Sequence, residues 1–160
     1  MQARNIRNLP DGFLTPADAV SNAMNTHVDV ALILWNRDVI ELISLILHGR
    51  NLTSCGVEPS VGKQVIEDLI VARSPSVVVF DLDPPYARSA GVALRLLDRF
   101  PDCPFLITCA DTRLALKNAA WLSDFVMFQK PYEVDEVADV VRSMVRSASS
   151  NLRALSIGAS

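Results

Sequence analysis

The sequence predicts an α/β protein: a doubly wound, five-stranded parallel sheet of order 2-1-3-4-5, packed as a three-layer sandwich. Short aliphatic runs alternate five times with stretches of helical periodicity, and serial βα units form parallel sheets with helices on both faces. Apolar residues make up 50% of the 160-residue chain. Two runs, VALIL and VVVF, are apolar without interruption, as expected for strands covered on both faces. Five such strands favour the 2-1-3-4-5 order.

The first two strand–helix units precede residue 75. Residues 30–34 form the first predicted strand, and a helix through residues 39–47 ends at Gly49, a favourable C-cap. A weaker strand is predicted at residues 52–57. Ser60 is expected to cap the second helix, which buries Val61, Val65, Ile66, Leu69 and Ile70.

The remaining elements follow the same alternation. They are predicted as strand 77–80, helix 90–97, strand 105–107, helix 112–122, strand 125–128 and a last helix around residues 137–145. The last helix is the best defined, because acidic residues precede its apolar stripe and arginines lie near its end, where each charge favours the helix dipole.

Both ends of the chain differ from this pattern. Residues 1–27 are predicted to be an N-terminal arm, with a short helix at residues 17–24. Residues 28–147 form the predicted domain, and residues 148–160, which are polar and of low complexity, are expected to be a flexible tail.

Composition argues against a secreted, a membrane-spanning or a nucleic-acid-binding protein. No apolar run follows the first basic residues, so a signal peptide is not expected. The most apolar stretch, residues 30–49, contains several charges that oppose a membrane span. Three cysteines without metal-ligand spacing indicate free thiols and a cytoplasmic location. The chain has a net charge of -3 and therefore lacks the positive field that attracts nucleic acid. No nucleic-acid or membrane partner is expected.

Three residues of matching chemistry end neighbouring strands. Asp81 follows VVVF, Thr108 ends the fourth strand and Lys130 follows the fifth. The carboxyl ends of parallel strands meet at one edge, so we expect these side chains to converge. A carboxylate that accepts a phosphoryl group needs a cation and a hydroxyl around the new phosphate oxygens. Asp81 is thus the candidate nucleophile, with Lys130 and Thr108 as its supporting groups.

With these motifs, residues 28–147 resemble the receiver domains of two-component response regulators. The resemblance rests on VVVFDLDPP around Asp81, on FLITCAD around Thr108, and on Lys130 followed by proline and tyrosine. It implies a stand-alone response regulator in which Asp81 is the phosphoacceptor, contacted after phosphorylation by Thr108 and Lys130. It further implies output by protein–protein interaction. The implied partners are a sensor histidine kinase or histidine phosphotransferase, a protein effector, and a second copy of the chain in a homodimer.

Two signature elements of that family are changed. Trp35 and Asn36 stand where the family has an acidic pair that holds Mg²⁺, and Met127 stands at its aromatic switch position. The resemblance therefore implies a Mg²⁺ site reduced to Asp81 and Asp83, and an atypical receiver.

Two alternatives remain open at this point. The first is a pseudo-receiver that acts independently of phosphorylation. The second is a phosphatase similar to the haloacid dehalogenases, in which Asp81 is the nucleophile and Asp83 the general acid/base. The missing acidic residues after Lys130 count against this enzyme, and the sequence favours a non-enzymatic protein.

Overall fold

The five predicted strands form one parallel sheet of order β2-β1-β3-β4-β5, which confirms the predicted fold class. The computed structural model describes residues 26–157, so the short helix expected at residues 17–24 lies outside them. The strands are β1 Val30–Ile33, β2 Ser54–Val57, β3 Val77–Asp81, β4 Phe105–Cys109 and β5 Val126–Gln129. None of the helices in this part of the chain is long and apolar enough to cross a bilayer.

Helices cover both faces of the sheet. Within residues 26–157 they are α1 Arg37–Gly49, α2 Lys63–Arg73, α3 Tyr86–Arg99, α4 Thr112–Asn118 and α5 Val134–Ile157. Alternate side chains of β3 enter two separate apolar clusters: Val78 and Phe80 on one face, Val77 and Val79 on the other. Every residue of β1, β3 and β4 is buried. This double burial is why their sequences are apolar without alternation up to Asp81 in β3 and Thr108 in β4.

The second and fourth helices are shorter than predicted, because 3₁₀ segments take up part of each. A 3₁₀ turn occupies Pro59–Val61, and α2 begins only at Lys63, after Gly62 at φ 96°. Ser60 is therefore part of the turn and does not cap α2. The fourth helix ends at Asn118, and residues up to Asp124 form a separate 3₁₀ segment.

The predicted tail is wrong for residues 148–157, because α5 continues through them to Ile157. The serines that suggested a tail are accommodated by bonding back to the helix. The Ser149 hydroxyl donates to the Val145 carbonyl at 3.1 Å, and the Ser150 hydroxyl donates to the Arg146 carbonyl at 3.0 Å. Such back-bonding lets serine lie within a helix, although it contributes little to the helix's stability.

Gly56 of β2 is required by the packing of α1. A Cβ atom at this position would overlap Cγ2 of Ile40 and lie 3.4 Å from the Leu32 carbonyl oxygen. We expect Gly56→Ala to lower the free energy of unfolding by ~1–3 kcal/mol, because overpacking displaces side chains and backbone. Urea denaturation measures the change. Gly91→Ala is the matched control: nothing in the described chain lies within 4 Å of its added Cβ, so stability should be unchanged or increased.

Candidate functional site

The carboxyl ends of the central strands bring Asp81, Thr108 and Lys130 together. Asp81 is the last residue of β3 and pairs in register with Thr108 of β4. Lys130 directly follows β5 and is held by its backbone N–H, which donates to the Cys109 carbonyl at 2.8 Å. The sequence-predicted convergence at this edge is therefore present.

Both carboxyl oxygens of Asp81 are engaged. The Thr108 hydroxyl donates to Oδ1 at 3.0 Å, and Nζ of Lys130 donates to Oδ2 at 2.5 Å. The backbone N–H of Trp35 also points to Oδ2, at the long distance of 3.5 Å. Asp81 is only 2% exposed, whereas the Lys130 side chain is 39% exposed. A buried carboxylate thus faces a half-exposed ammonium group that solvent and ligands can reach.

This arrangement suits a group transfer in which negative charge accumulates. Asp81 provides a nucleophilic oxygen, and the Lys130 ammonium can neutralise the charge of an incoming phosphoryl group. Thr108, which is fully buried, adds a hydroxyl donor beside Asp81. The three side chains therefore bring a nucleophile, a cation and a hydrogen-bond donor together at one edge of the sheet.

Asp81 lines two clefts of the described chain. The first has a volume of about 270 Å³ and is bordered by Lys130 and Tyr132. Burial, and to a lesser extent the negative charge of Asp81, raise the pKa of the Tyr132 phenol, which stays neutral beside the carboxylate. The second cleft, of about 410 Å³, is bordered by Trp35 and Asp83. Access to Asp81 is thus flanked by one aromatic residue on each side.

Two side chains near Asp81, those of Tyr86 and Gln129, accept hydrogen bonds from the segment that follows β4. The hydroxyl of Tyr86, at the start of α3, accepts from the backbone N–H of Asp111 at 3.0 Å. Oε1 of Gln129 accepts from both the backbone N–H and the hydroxyl of Thr112, at 3.0 and 2.9 Å. The loop after β4 is therefore bonded to the start of α3, and the start of α4 is bonded to the end of β5.

Comparisons with known proteins agree in fold and diverge in sequence. No protein-family model matches the chain, and no curated protein matches it. A two-component transcriptional regulator AraC from Clostridium phytofermentans ISDg superposes with a TM-score of 0.61 at 12% identity, over 79% of this chain and 98% of that one. A CheY-like response regulator receiver domain protein from Methanospirillum hungatei JF-1 gives 0.62 at 9% identity, over 79% and 99%.

A third structure, described as a transiently phosphorylated "switch" in bacterial signal transduction, gives a TM-score of 0.62 at 17% identity, over 78% of this chain and 98% of that one. The chain has the receiver fold. At these identities the likeness concerns the fold alone. Roles of individual side chains must be argued from their own contacts.

The residues after β1 do not suit a Mg²⁺ ion in this receiver fold. Trp35 offers no oxygen ligand from its side chain, and Oδ1 of Asn36 already accepts from the backbone N–H groups of Asp38 and Val39 as the N-cap of α1. The Lys130 ammonium lies on Oδ2 of Asp81 and the Thr108 hydroxyl on Oδ1, so both oxygens of that carboxylate already have partners. Mg²⁺ requires an octahedral set of oxygens, commonly with one or two carboxylates.

Asp83 does not complete such a set. It is exposed on the loop after β3 and borders the same cleft as Asp81, while its backbone N–H donates to the Ser89 hydroxyl at 3.1 Å. Across residues 26–157, no cluster of three or more His, Cys, Asp or Glu side chains could hold a metal ion. The residues present therefore do not fit Mg²⁺.

Met127, the predicted switch position, lies on β5 opposite Ile107 and is partly buried against the core. The residue in register with Thr108 is Phe128. Phe128 forms an edge-to-face pair with Tyr132, with ring centroids 6.2 Å apart. On this side of Asp81 the aromatic residues are thus Phe128 and Tyr132, and position 127 contributes none.

Several contacts were not predicted from the sequence. The bond from the Trp35 backbone to Asp81 depends on where β1 ends in space, and the Tyr86 and Gln129 bonds depend on loop conformation. The Lys130–Pro131 and Pro84–Pro85 peptide bonds are both cis. All three cysteines are free, as predicted, and burial raises the pKa of Cys55 and of Cys103 to about 11.

Proposed function

We propose that this chain is a receiver-like signalling module in which Asp81 accepts a phosphoryl group and the output is made by protein–protein interaction. The observation that carries the proposal is the seating of Asp81 between Thr108 and Lys130. The receiver fold places these residues where the strand ends meet. The similar structure described as a transiently phosphorylated switch supports the same reaction class.

The proposed step is a transfer from a phosphohistidine. A carboxylate oxygen of Asp81 attacks phosphorus, a P–O bond forms, and the P–N bond to the donor imidazole breaks. The bonding electron pair leaves with the imidazole, which takes a proton from solvent. Lys130 neutralises charge on the phosphoryl oxygens and Thr108 donates a hydrogen bond to one of them. The donor is a sensor histidine kinase or a histidine phosphotransferase, and the recipient of the signal is a protein effector.

Acetyl phosphate tests whether the chain accepts a phosphoryl group. We expect intact-mass spectrometry to show one added phosphoryl group on the wild-type chain, and none on Asp81→Asn, because an amide is a poor nucleophile. The experiment is run with and without Mg²⁺. An adduct on both proteins, or on neither at any Mg²⁺ concentration, contradicts the proposed acceptor.

A pseudo-receiver is the second candidate. It is favoured by the Lys130 ammonium already bound to Asp81, by the 2% exposure of that carboxylate, and by the absence of an acidic pair after β1 in the described chain. Such a module would keep the Asp81–Lys130 pair as a structural element and signal by binding alone. It predicts no adduct with acetyl phosphate and equal partner binding by wild type and Asp81→Asn.

We propose that the chain is not an enzyme. A dehalogenase-like phosphatase would use Asp83 as the general acid/base, yet this side chain is exposed and the residues present do not fit the metal ion. We expect no turnover of p-nitrophenyl phosphate with Mg²⁺. Catalytic release of p-nitrophenol that is abolished by Asp83→Asn would contradict the receiver proposal and support the phosphatase.

We further propose that the protein acts in the cytoplasm. The three free thiols support a reducing compartment.

A further inference from the structure

The larger of the two clefts that Asp81 lines has the size and the lining of a ligand site. Its volume is about 410 Å³, and small-molecule sites in proteins measure ~300–1,000 Å³. Ile66 and Phe80, at 1% and 2% exposure, form its buried base. Trp35 and Pro84 add apolar walls. We call this space the Trp35 cleft.

Trp35 presents a free aromatic surface at the border of this cleft. The residue is 41% exposed, and its ring forms no pair with another aromatic ring within residues 26–157. Aromatic rings bury much apolar area and pack well against other rings. A planar aromatic group is therefore the ligand part that matches the indole and the apolar base of the cleft.

Three donors at the same border can hold an anionic group. Arg88 is exposed and makes no ion pair with any residue of the described chain, so its guanidinium is free to bind a carboxylate in the bidentate manner. The Ser89 hydroxyl accepts from the Asp83 backbone N–H at 3.1 Å, which leaves its own proton to donate. Lys63 forms only an i,i+4 pair with Glu67 at 3.3 Å, and such surface pairs are easily exchanged.

The acidic residues of the cleft limit the charge of the ligand. Asp81 has the Lys130 ammonium on Oδ2, whereas Asp83 is exposed and has no cationic partner in the part of the chain that the structure describes. Repulsion by Asp83 grows with the charge of the bound group. A singly charged carboxylate on Arg88 therefore fits better than a doubly charged phosphate.

We propose that the Trp35 cleft binds a small aromatic carboxylic acid. One or two fused rings lie against Trp35, and the carboxylate lies on Arg88, with Ser89 and Lys63 as further donors. Such a ligand gives the module a small-molecule input, which goes beyond the proposed phosphoryl transfer and does not depend on it. Asp81 borders the same cleft, so a bound acid covers that carboxylate from this side.

Titration with 2-naphthoate, followed by the indole N–H signal of Trp35 in heteronuclear NMR spectra, tests this site. The chain has two tryptophans, and Trp121→Phe assigns the two signals. We expect a saturable shift with a Kd below about 1 mM. Naphthalene-2-carboxamide, which has the same rings without the charge, should bind at least about fivefold more weakly. 2-Naphthyl phosphate should also bind more weakly than 2-naphthoate.

Variants locate the carboxylate and the rings. Arg88→Gln should weaken the binding of 2-naphthoate by at least about fivefold. Arg95→Gln is the matched control, since Arg95 is exposed two turns further along α3 and should leave the Kd unchanged. Asp83→Asn should strengthen binding, because it removes the repulsion. Trp35→Leu, followed by the line width of the 2-naphthoate resonances, should weaken binding as much as Arg88→Gln does.

Three results would overturn the proposal. They are the lack of a saturable shift at millimolar 2-naphthoate, equal binding of the uncharged carboxamide, and equal effects of Arg88→Gln and Arg95→Gln. The last two would mean that the rings merely stack on an exposed indole. Tighter binding of 2-naphthyl phosphate would contradict the carboxylate class. No phosphoryl donor is present in the titration, so a missing adduct with acetyl phosphate would contradict the proposed acceptor and leave the binding result standing.

Discussion

Lys130→Met is expected to lower the free energy of unfolding by about 3 kcal/mol, at the lower end of the ~3–5 kcal/mol range for breaking a buried ion pair. The loss arises because the Asp81 carboxyl group, 2% exposed, loses the ammonium on Oδ2 and is left buried without a cationic partner. The partial exposure of Lys130 lets water reach the carboxylate, which limits the effect. Urea denaturation at neutral pH measures it.

A double-mutant cycle assigns the loss to the pair itself. Asp81→Asn combined with Lys130→Met removes both charges, so most of the stability lost in Lys130→Met should return. Lys117→Met is the matched control, since Lys117 is exposed on α4 and should change stability by less than ~0.5 kcal/mol. Equal effects of Lys130→Met and Lys117→Met, or no recovery in the double variant, would show that the pair contributes nothing to folding.

Restoring two carboxylates after β1 is expected to create a Mg²⁺ site. In Trp35→Asp/Asn36→Asp, two acidic side chains join Asp81 at one edge of the sheet, which is the kind of oxygen set that Mg²⁺ takes. We expect affinity for Mg²⁺ to rise by at least about tenfold, equivalent to ~1.4 kcal/mol. Isothermal titration calorimetry measures it. Aspartate caps a helix as well as asparagine does, so α1 should be retained.

The gain should depend on Asp81. Adding Asp81→Asn to the double variant removes one of the three carboxylates and should abolish most of the new affinity, whereas adding Asp38→Asn should leave it unchanged. If Trp35→Asp/Asn36→Asp binds Mg²⁺ no better than the wild type, the inferred alignment of residues 35 and 36 with the acidic pair is wrong.

The sequence predicted the sheet well because burial on both faces leaves a strong pattern. Central strands such as VVVF admit only apolar residues, and the polar residues near the ends of the third and fourth strands mark the edge where Asp81 and Thr108 meet. The start of α2 was missed, since Ser60 has the chemistry of a cap and only the backbone conformation of Gly62 shows that a 3₁₀ turn intervenes. The low helix propensity of the serines after Val145 also led to a wrong prediction, because α5 continues through them to Ile157.

At the candidate site, too, the sequence predicted the residues but not their contacts. The chemistry at the strand ends follows from residue type and order, so Asp81, Thr108 and Lys130 could be named in advance. The bond from the Trp35 backbone, the occupation of both Asp81 oxygens and the use of Asn36 as a helix cap follow from three-dimensional positions that no sequence pattern encodes. These contacts are what argue against a Mg²⁺ ion at this edge.

The position of the transferred phosphoryl group tests most directly whether Asp81 is the acceptor. After incubation with acetyl phosphate, borohydride reduces an aspartyl phosphate to homoserine, which peptide mass spectrometry places in the sequence. We expect homoserine at position 81 in the wild type and no homoserine in Asp81→Asn. Homoserine at Asp83 or Asp111 with Asp81 intact would contradict this expectation.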